Sequence, residues 1–323
     1  MIVDPSAATA AEQGRRSVAA AGESLGKYRL DRVLGAGGMG IVWAAFDPDL
    51  ERAVALKLLH SSDVPTLRSR LLREARAMAR LKHPNVLTVY EVGTDQNRDY
   101  IAMEIVDGET LDSWLDSKPA QDEIVGALVA AGRGLMAAHA AGLIHRDFKP
   151  HNVLRSKEGH VYVTDFGLAR GQIEDGAELE QIAVADSRAI DVLVSPLTQT
   201  GVMIGTPAYM APEQFAGRTP DARTDQFAFC VTAWEALSGA RPFRGESLPE
   251  LERAASGGAR ELTSTLPPRI RDVLARGLEA SPDARWPDLK SLLAALEAAI
   301  VPPKPESRWG LVAIIAGGAL VAG

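Results

Sequence analysis

The sequence predicts an α+β protein of two lobes: a small β-rich N-terminal lobe with one main helix, and a larger α-helical C-terminal lobe. Short apolar runs bounded by glycine and turn residues dominate the chain from Tyr28 to about residue 107 and are typical of strands. One stretch among them, residues 64–81, has apolar side chains at helical spacing. From about Leu111 onward the apolar spacing is mostly helical, so we expect a cleft between the two lobes.

In chain order, the small lobe begins with two predicted strands, "YRLDRVL" and "GIVWAAF", around a glycine-rich turn. A third strand, "AVALKLL", precedes the helix "VPTLRSRLLREARAMARL", which Pro84 ends. The strands "NVLTVYEVGT" and "DYIAMEIVD" follow. The large lobe opens with the helices "TLDSWLDS" and "EIVGALVAAGRGLMAAHAAG" and continues with short strands around "NVLRS" and "VYVTDF". A long irregular stretch to Pro212 and several helices to about Ile300 complete it.

The domain boundaries follow from shifts in composition along the chain. Residues 1–26 are rich in Ala, Ser, Gly and Gln and predict a disordered leader. The folded domain is predicted to cover residues 27–300, with the small lobe at about 27–106 and the large lobe at about 107–300. A Pro-rich linker, 301–308, then precedes an apolar segment, 309–323.

Composition excludes some classes of function. The 323 residues are 46% hydrophobic with a formal net charge of −7, which argues against a general nucleic-acid binder because such proteins usually carry a basic stripe. The single cysteine, Cys230, excludes an internal disulfide and a cysteine-based metal cage, and its apolar helical surroundings predict a packed thiol. The chain fits a reducing compartment.

The C-terminal segment resembles part of a membrane span. Trp309 to Gly323 contains no charged residue, and as a helix it would be about 22 Å long, against ~30 Å of hydrocarbon core. A terminal core helix is the alternative, although Gly317 and Gly318 disfavour it. The expectation is a minimal or truncated membrane segment that tethers a cytoplasmic domain to the cell membrane.

The stretch "GAGGMGIV" carries glycines in a GxGxxG arrangement, at Gly35, Gly37 and Gly40. Dinucleotide-binding folds use the same spacing, but there the glycines open a helix. Here the β-rich "IVWAAF" follows, which predicts a hairpin whose backbone N–H groups lie over phosphates. The alternative is an ordinary flexible glycine turn.

Two charged residues could clamp a phosphate beside that hairpin. Lys57 ends the apolar run "AVALK", and Glu74 lies in the predicted helix seventeen residues further on. An ion pair between them would aim the ammonium group at a phosphate. The alternatives are a strand-end lysine that reaches solvent and a helix carboxylate that pairs locally with Arg70.

The polar stretch "IHRDFKPHNVL" suits phosphoryl transfer. Asp147 can accept or orient a hydroxyl proton, Lys149 can neutralise a transferring phosphoryl group, and Asn152 offers a neutral oxygen to Mg²⁺. Asp165 follows an apolar strand in "VTDFGLAR" and is a second candidate Mg²⁺ ligand. Metal, cationic clamp and oriented nucleophile are the parts that this reaction needs.

These motifs occur in the order and spacing of the protein kinase signature: the glycine loop, "AVALK", "HRDFKPHN" and "DFG". The chain resembles the bacterial eukaryotic-like (Hanks-type) serine/threonine protein kinases over about Tyr28 to Ala298, and the likeness continues in "GTPAYMAPEQ" and "SPDARWP". The resemblance implies a bilobal kinase fold, ATP and Mg²⁺ as cofactors, and transfer of the γ-phosphate to protein serine or threonine.

The resemblance also assigns roles to residues. Asp147 would be the catalytic base, Lys149 would contact the γ-phosphate, and Asn152 and Asp165 would ligate Mg²⁺. Lys57, paired with Glu74, would clamp the α- and β-phosphates. Glu213 would pair with Arg285, and Asp225 would brace the catalytic loop. The residues expected around the nucleotide are Leu34, Gly35, Ala36, Gly37, Gly38, Met39, Gly40, Val42, Ala55, Lys57, Glu74, Met103 (the gatekeeper), Glu104 and Val106 (through backbone groups), Leu154 and Asp165.

Arg146 precedes the catalytic Asp147, as in kinases that activation-loop phosphorylation switches on. A phosphate on the activation loop would pair with Arg146 and order the loop. Thr198 and Thr200 are the candidate phosphorylation sites, whereas Thr206 matches the family's substrate-positioning threonine.

Two alternatives stay open beside an active kinase: a catalytically silent pseudokinase scaffold and a small-molecule phosphotransferase. The presence of Lys57, Asp147, Asn152 and Asp165 favours activity, and the peptide-positioning segment "GTPAYMAPEQ" favours protein substrates. The expected partners are protein substrates, a second copy for trans-autophosphorylation, and a membrane at 309–323, but no nucleic acid.

The activation segment is longer than is usual for the family, because Asp165 and Glu213 are 48 positions apart. Its extra part, "GQIEDGAELEQIAVADSRAIDVLVSP", is acidic and predicts an autoinhibitory or docking element, with a tolerated surface insertion as the alternative. Deleting Ile173 to Val194 should therefore change activity or substrate choice in a kinase assay. An unchanged rate on every substrate would leave only the tolerated insertion.

Overall fold

The structure is a computed structural model that describes residues 19–37, 40–59, 65–166, 206–258 and 265–300. It contains a β-rich N-terminal part and a helical C-terminal part, as predicted. In the N-terminal part, six strands form one antiparallel sheet in the order β1-β2-β3-β4-β6-β5. Their bounds are β1 Ser24–Leu25, β2 Tyr28–Gly37, β3 Gly40–Asp47, β4 Arg52–Leu59, β5 Val89–Asp95 and β6 Arg98–Met103.

The glycine stretch is a β-hairpin between β2 and β3, with Gly37 opposite Gly40 in the register. This observation excludes the strand-to-helix turn of a dinucleotide fold. Gly40 has φ +146° and faces the backbone of β4, where an added Cβ would lie 1.8 Å from the carbonyl oxygen of Leu58. Only glycine fits such a position, so the close packing of β3 on β4 depends on it.

The helix of the small lobe, α1, spans Pro65–Met78 and packs on the sheet. Its inner face is apolar: Ala75 is buried in a cluster with residues from β4 and β6, and the buried Met78 belongs to the main hydrophobic core. Glu74 lies on the same side and is half-buried, whereas Arg73 and Arg76 are exposed. The helix is therefore amphipathic, with one carboxylate turned towards the cleft.

The C-terminal part is built around two buried helices, α3 and α5. The described helices are α2 Leu111–Asp116, α3 Gln121–Ala140, α4 Pro212–Phe215, α5 Ala222–Ser238, α6 Leu248–Ser256, α7 Pro268–Gly277 and α8 Leu289–Ile300. Every residue of α5 from Thr224 to Trp234 is buried, so this helix forms the centre of the main hydrophobic core. Asp221 caps its N-terminus by accepting a hydrogen bond from the backbone N–H of Arg223 at 2.7 Å.

A three-stranded antiparallel sheet lies beside the helices, with β7 Gly108–Thr110, β8 Val153–Ser156 and β9 Val161–Val163. The loop after α1 is hydrogen-bonded to β9: the backbone N–H of Leu87 donates to the carbonyl oxygen of Val163 at 3.0 Å, and the N–H of Val163 donates to that of Asn85 at 2.9 Å. The Asn85 side chain also donates to the carbonyl oxygen of Val161 at 3.0 Å. The N-terminal part is thus joined to the C-terminal part here as well as through the chain near residue 105.

Two predictions about the chain ends change. The expected leader, 1–26, is too long, because Ser24–Leu25 pair with β2 and Leu25 is fully buried. The localisation predicted from the apolar tail is corrected, since none of the described helices is long and apolar enough to cross a membrane. The tail itself, 309–323, lies outside the described residues, as do Gly38, Met39, Thr198, Thr200 and the acidic insert.

The packing of α7 on α5 yields a stability prediction. An added Cβ at Gly277 would lie 2.2 Å from the Sγ of Cys230, so Gly277→Ala should lower the free energy of unfolding by about 1–3 kcal/mol through overpacking. Chemical denaturation would measure this loss.

Two control variants accompany this test. Gly126→Ala, on an exposed position of α3 with nothing within 4 Å of the added Cβ, should leave stability equal or raised. Adding Cys230→Ala to Gly277→Ala should restore part of the loss, because the clashing sulfur is gone. A Gly277→Ala protein as stable as the Gly126→Ala protein would contradict the steric account.

Candidate active site

The catalytic loop follows α3 and is held by the carboxylate of Asp225, a residue of α5. One oxygen of this fully buried carboxylate accepts the backbone N–H of His145 and the other that of Arg146, each at 2.7 Å. His139, near the end of α3, contacts the same carboxylate through Nε2 at 2.7 Å. Arg146 has φ +66°, a left-handed conformation that a non-glycine residue keeps only when its surroundings hold it there.

Asp147 projects from this loop and is contacted by the two residues predicted to work with it. The Lys149 Nζ lies 2.7 Å from Asp147 Oδ2. The Asn152 side-chain amide donates to the backbone oxygen of Asp147 at 2.8 Å and, more weakly, to Oδ2 at 3.4 Å. The structure therefore brings Asp147, Lys149 and Asn152 together, and their roles in catalysis stay a prediction.

A second lysine–aspartate pair joins the six-stranded sheet to the residues that directly follow β9. Lys57, on β4, is buried, and its Nζ lies 2.7 Å from Oδ1 of Asp165. Asp165 has φ +62°, and the next residue, Phe166, is buried against the ring of His145 with 4.7 Å between ring centroids. Phe166 thus points into the interior while Asp165 faces the cleft and Lys57.

Glu74 contacts the catalytic loop across the cleft. One of its oxygens lies 3.2 Å from Nη1 of Arg146, and both side chains are mostly buried. The sequence prediction paired Glu74 with Lys57, and that pair stays a prediction. The observed contact connects α1 directly to the residue that precedes Asp147.

The predicted adenine pocket is an apolar cluster at the back of the cleft. Ala55 and Met103 are buried in it, opposite each other in the β4–β6 register, and Val42, Val106 and Leu154 pack against it. Leu34 is 41% exposed at the rim of β2. The backbone N–H of Glu104 donates to the carbonyl oxygen of Thr88 at 2.9 Å, so of the Glu104 backbone groups only the carbonyl is left for a ligand.

The residues suggested for Mg²⁺ offer oxygen atoms, which this ion prefers. Asn152 uses its amide nitrogen on Asp147, which leaves its side-chain oxygen as the acceptor, and Asp165 adds a carboxylate. Within the described ranges there is no cluster of three or more His, Cys, Asp or Glu side chains that could hold a metal. A pair of protein oxygens completed by nucleotide phosphates is the usual arrangement for Mg²⁺, and these residues fit it.

A buried ion pair anchors the start of α4. Arg285 and Glu213 form two parallel hydrogen bonds of 2.8 Å each, and the Arg285 side chain has no exposed surface. The remaining guanidinium N–H groups donate to the carbonyl oxygens of Arg223, Glu279 and Ala280. Burial by itself would raise the pKa of Glu213, but the hydrogen bonds and charge of Arg285 outweigh it and hold the pKa below the usual value. The predicted Glu213–Arg285 pair is confirmed.

Three side chains of the site were not predicted. His145 accepts the backbone N–H of Asp147 at its Nδ1, which leaves Nε2 to donate to the carbonyl oxygen of Thr164 at 2.9 Å. Gln214 donates to the backbone oxygen of Arg146 at 3.0 Å, and His139 binds Asp225. These side chains bind partners that lie between 2 and 86 positions away in the chain, and no regular residue spacing predicts such contacts.

This geometry is that of a protein kinase, and the comparisons agree with it. The chain belongs to the protein kinase domain family, whose match covers residues 28–310. The fold and the resemblance to bacterial Hanks-type serine/threonine kinases are thereby confirmed.

Relatives of known name are serine/threonine-protein kinases. PknA of Mycobacterium tuberculosis is 36% identical over 294 residues, which cover 87% of this chain and 64% of PknA. PknE of the same species is 36% identical over 288 residues (86% and 47%), and Pkn1 of Myxococcus xanthus is 34% identical over 294 residues (86% and 39%). The chain therefore spans less than two thirds of the length of these relatives.

Among solved structures, the kinase domain of Mycobacterium tuberculosis PknI superposes with a TM-score of 0.64 at 26% sequence identity. The match covers 87% of this chain and all (100%) of that domain. The described lobes thus have the arrangement of a bacterial kinase domain.

The Glu213–Arg285 pair yields a stability prediction with a defined pH dependence. Arg285→Met would leave a buried carboxylate without its cation and should lower the free energy of unfolding by about 3–5 kcal/mol. The double variant Glu213→Gln/Arg285→Met should lose less, because no buried charge remains. Denaturant titrations would measure both losses.

The pH dependence follows from the lowered pKa of Glu213. A carboxyl group whose folded pKa is depressed contributes stability above its ordinary pKa of 4.5 and loses that contribution as the pH falls through the folded value. The stability advantage of the natural chain over the double variant should therefore shrink on acidification below pH 4.5. An advantage that stays constant there would show that the pair does not carry it.

Proposed function

We propose that the protein transfers the γ-phosphate of ATP to serine or threonine hydroxyl groups of protein substrates. The observation that supports this proposal best is the pair of lysine–aspartate contacts that face one cleft, Lys57 with Asp165 and Lys149 with Asp147, each at 2.7 Å. Both are expected parts of a phosphoryl-transfer site, and the Lys57–Asp165 pair lies beside the apolar cluster suited to a purine ring.

In this proposal the residues divide the work between the two substrates. Lys57 would bind the α- and β-phosphates, and the backbone around the Gly37–Gly40 turn would cover them. Lys149 would contact the γ-phosphate, where its charge offsets the charge that develops during transfer. Mg²⁺ on Asn152 and Asp165, when bound, would neutralise the phosphate oxygens.

Asp147 would bind the acceptor hydroxyl group and take its proton. Asp147 is held from two sides, because Lys149 contacts Oδ2 of its carboxylate and Asn152 donates to its backbone oxygen. A group positioned in this way needs little further ordering when the substrate arrives, and such positioning supplies much of the rate enhancement of a kinase. Turnover on the order of 1–100 per second is typical of active kinases.

Serine or threonine is favoured over other acceptors by two observations. The named relatives are serine/threonine-protein kinases, and Lys149 stands two positions after Asp147, as the resemblance requires. The segment ending at Glu213, anchored on Arg285, supports a peptide rather than a small-molecule substrate. A pseudokinase would usually lack one of Lys57, Asp147 or Asp165, and all three are present.

Autophosphorylation between two copies is part of the proposal. A phosphate on Thr198 or Thr200, both outside the described residues, would be drawn to Arg146. Because Arg146 contacts Glu74, the phosphate would compete with that carboxylate for the same guanidinium group.

The test is label transfer from γ-labelled ATP with Mg²⁺ to the full chain and to a set of candidate protein substrates. Asp147→Asn should lower the rate by about 100- to 10,000-fold, the usual contribution of a general base, while ATP binding persists. Mapping of the labelled residues would identify the acceptor type and show whether Thr198 or Thr200 is modified.

A matched variant separates chemistry from folding. Asp112→Asn changes an exposed carboxylate on α2 and should leave both the thermal stability and ATP binding as they are. Tight ATP binding by the natural chain without any label transfer, to itself or to the substrates, would favour the scaffold. Transfer to small molecules alone would favour the small-molecule phosphotransferase.

A further inference from the structure

The outer face of α1 is strongly basic, although the whole chain is acidic. Arg73, Arg76 and Arg80 are all exposed and follow one another at intervals of three and four residues, so they lie along one side of the helix and the turn that continues it. We call these three residues the basic face. It lies opposite the buried Ala75 and Met78, and therefore points away from the sheet.

The basic face lacks the carboxylates that usually accompany exposed arginines on a helix. Glu74 is the single acidic residue among the fourteen of α1, and it turns towards Arg146. Within the part of the chain that the structure describes, none of the three arginines forms an ion pair. Cations near a helix C-terminus are favoured by its dipole, which accounts for Arg76 and Arg80 but not for the missing carboxylates.

The same chain contains a segment of opposite charge. Residues 171–196, here called the acidic segment, hold six carboxylates (Glu174, Asp175, Glu178, Glu180, Asp186 and Asp191) and one cation, Arg188. The difference is a net charge of −5, most of the −7 of the whole chain. Exposed ion pairs are individually weak, so a complementary surface needs several of them at once, and both partners offer several here.

The acidic segment is attached close to the inner face of α1, one helix thickness from the basic face. Asp165 and Phe166, the last described residues before it, line a cavity together with Ala75 and Met78 of α1. Only residues 167–170 separate Phe166 from the segment, and a chain of five residues spans at most about 17 Å. A helix with its side chains is about 10–12 Å thick, so the segment can pass around α1. A short tether also gives it a high effective concentration at the helix.

We propose that the acidic segment of this chain docks on the basic face of its own α1 helix. Carboxylates of residues 174–191 would contact the guanidinium groups of Arg73, Arg76 and Arg80. The inference goes beyond the proposed function, since it concerns a contact within the chain and does not depend on catalysis. Docking would act on the helix that contacts the catalytic loop, because Glu74 on the inner side of α1 contacts Arg146.

The experiment measures the distance between the two partners in the full chain. Nitroxide labels would be placed on Lys82→Cys, just beyond the basic face, and on Ala183→Cys, in the middle of the acidic segment. Cys230 is fully buried and burial raises the pKa of its thiol, so it should not take up label. Pulsed electron paramagnetic resonance should give one short, narrow distance at low salt.

Charge variants decide whether the basic face causes that short distance. Reversing the three arginines to glutamate should replace the narrow peak by a broad distribution, and 1 M salt should do the same, because the screening length falls to about 3 Å. Adding lysines to the reversed face variant should restore the narrow peak; the positions are Glu174, Glu178 and Glu180. Glutamates at three exposed control positions should change nothing; these are Arg32, Arg244 and Arg269.

Several results would overturn the proposal. A broad distribution in the chain with natural charges, or a narrow peak that survives reversal of the basic face, would show that the segment does not dock there. Dilution of labelled chains with unlabelled ones tests the intramolecular claim: a short distance that disappears on dilution would assign the docking to a second copy instead. If the triple reversal unfolds the chain, the single Arg76→Glu variant should still weaken the peak.

Discussion

The buried carboxylate of Asp225 holds the catalytic loop in place. It has no exposed surface, and a charge so deeply buried is tolerated only when hydrogen bonds replace the lost water. Two backbone N–H groups of the loop and one imidazole provide them. The same bonds hold Arg146 in its left-handed conformation, which would otherwise cost about 1–3 kcal/mol. The position of Asp147 therefore depends on a residue that never meets a substrate.

The helix that carries Asp225 also supports the segment that ends at Glu213. Thr224, its neighbour in α5, donates from its hydroxyl group to Glu213 at 2.9 Å, and Gln226 exchanges hydrogen bonds with the backbone of Trp286. Trp286 follows Arg285, the partner of Glu213. One buried helix thus fixes the catalytic loop and the segment that would hold a peptide relative to each other. Loss of packing around α5 would disturb both together.

Local patterns in the sequence predicted much of this arrangement, but they did not predict contacts between residues that are far apart in the chain. The hairpin could be read because β-rich residues follow the glycines, and Asp147, Lys149 and Asn152 lie within six positions of one another. Glu74 and Arg146 are 72 positions apart, and His139 and Asp225 are 86 apart. Whether these residues meet depends on how α1 packs on the sheet and how α3 packs on α5, and the periodicity of the sequence does not reveal either packing. The expected leader was too long because the two-residue strand Ser24–Leu25 is too short to produce a pattern.

The attachment of Asn85 and Leu87 to β9 limits how the lobes can move. Together with the covalent crossing near residue 105, it gives the sheet two supports on the helical lobe, and a body held at two points can rock only about the line between them. The C-terminal end of α1 lies a few residues before one support and has a short lever arm. Gly37 and Gly40 lie in the β2–β3 hairpin, which takes part in neither support. A small rotation would therefore move this hairpin more than it moves Glu74, which stays near the catalytic loop.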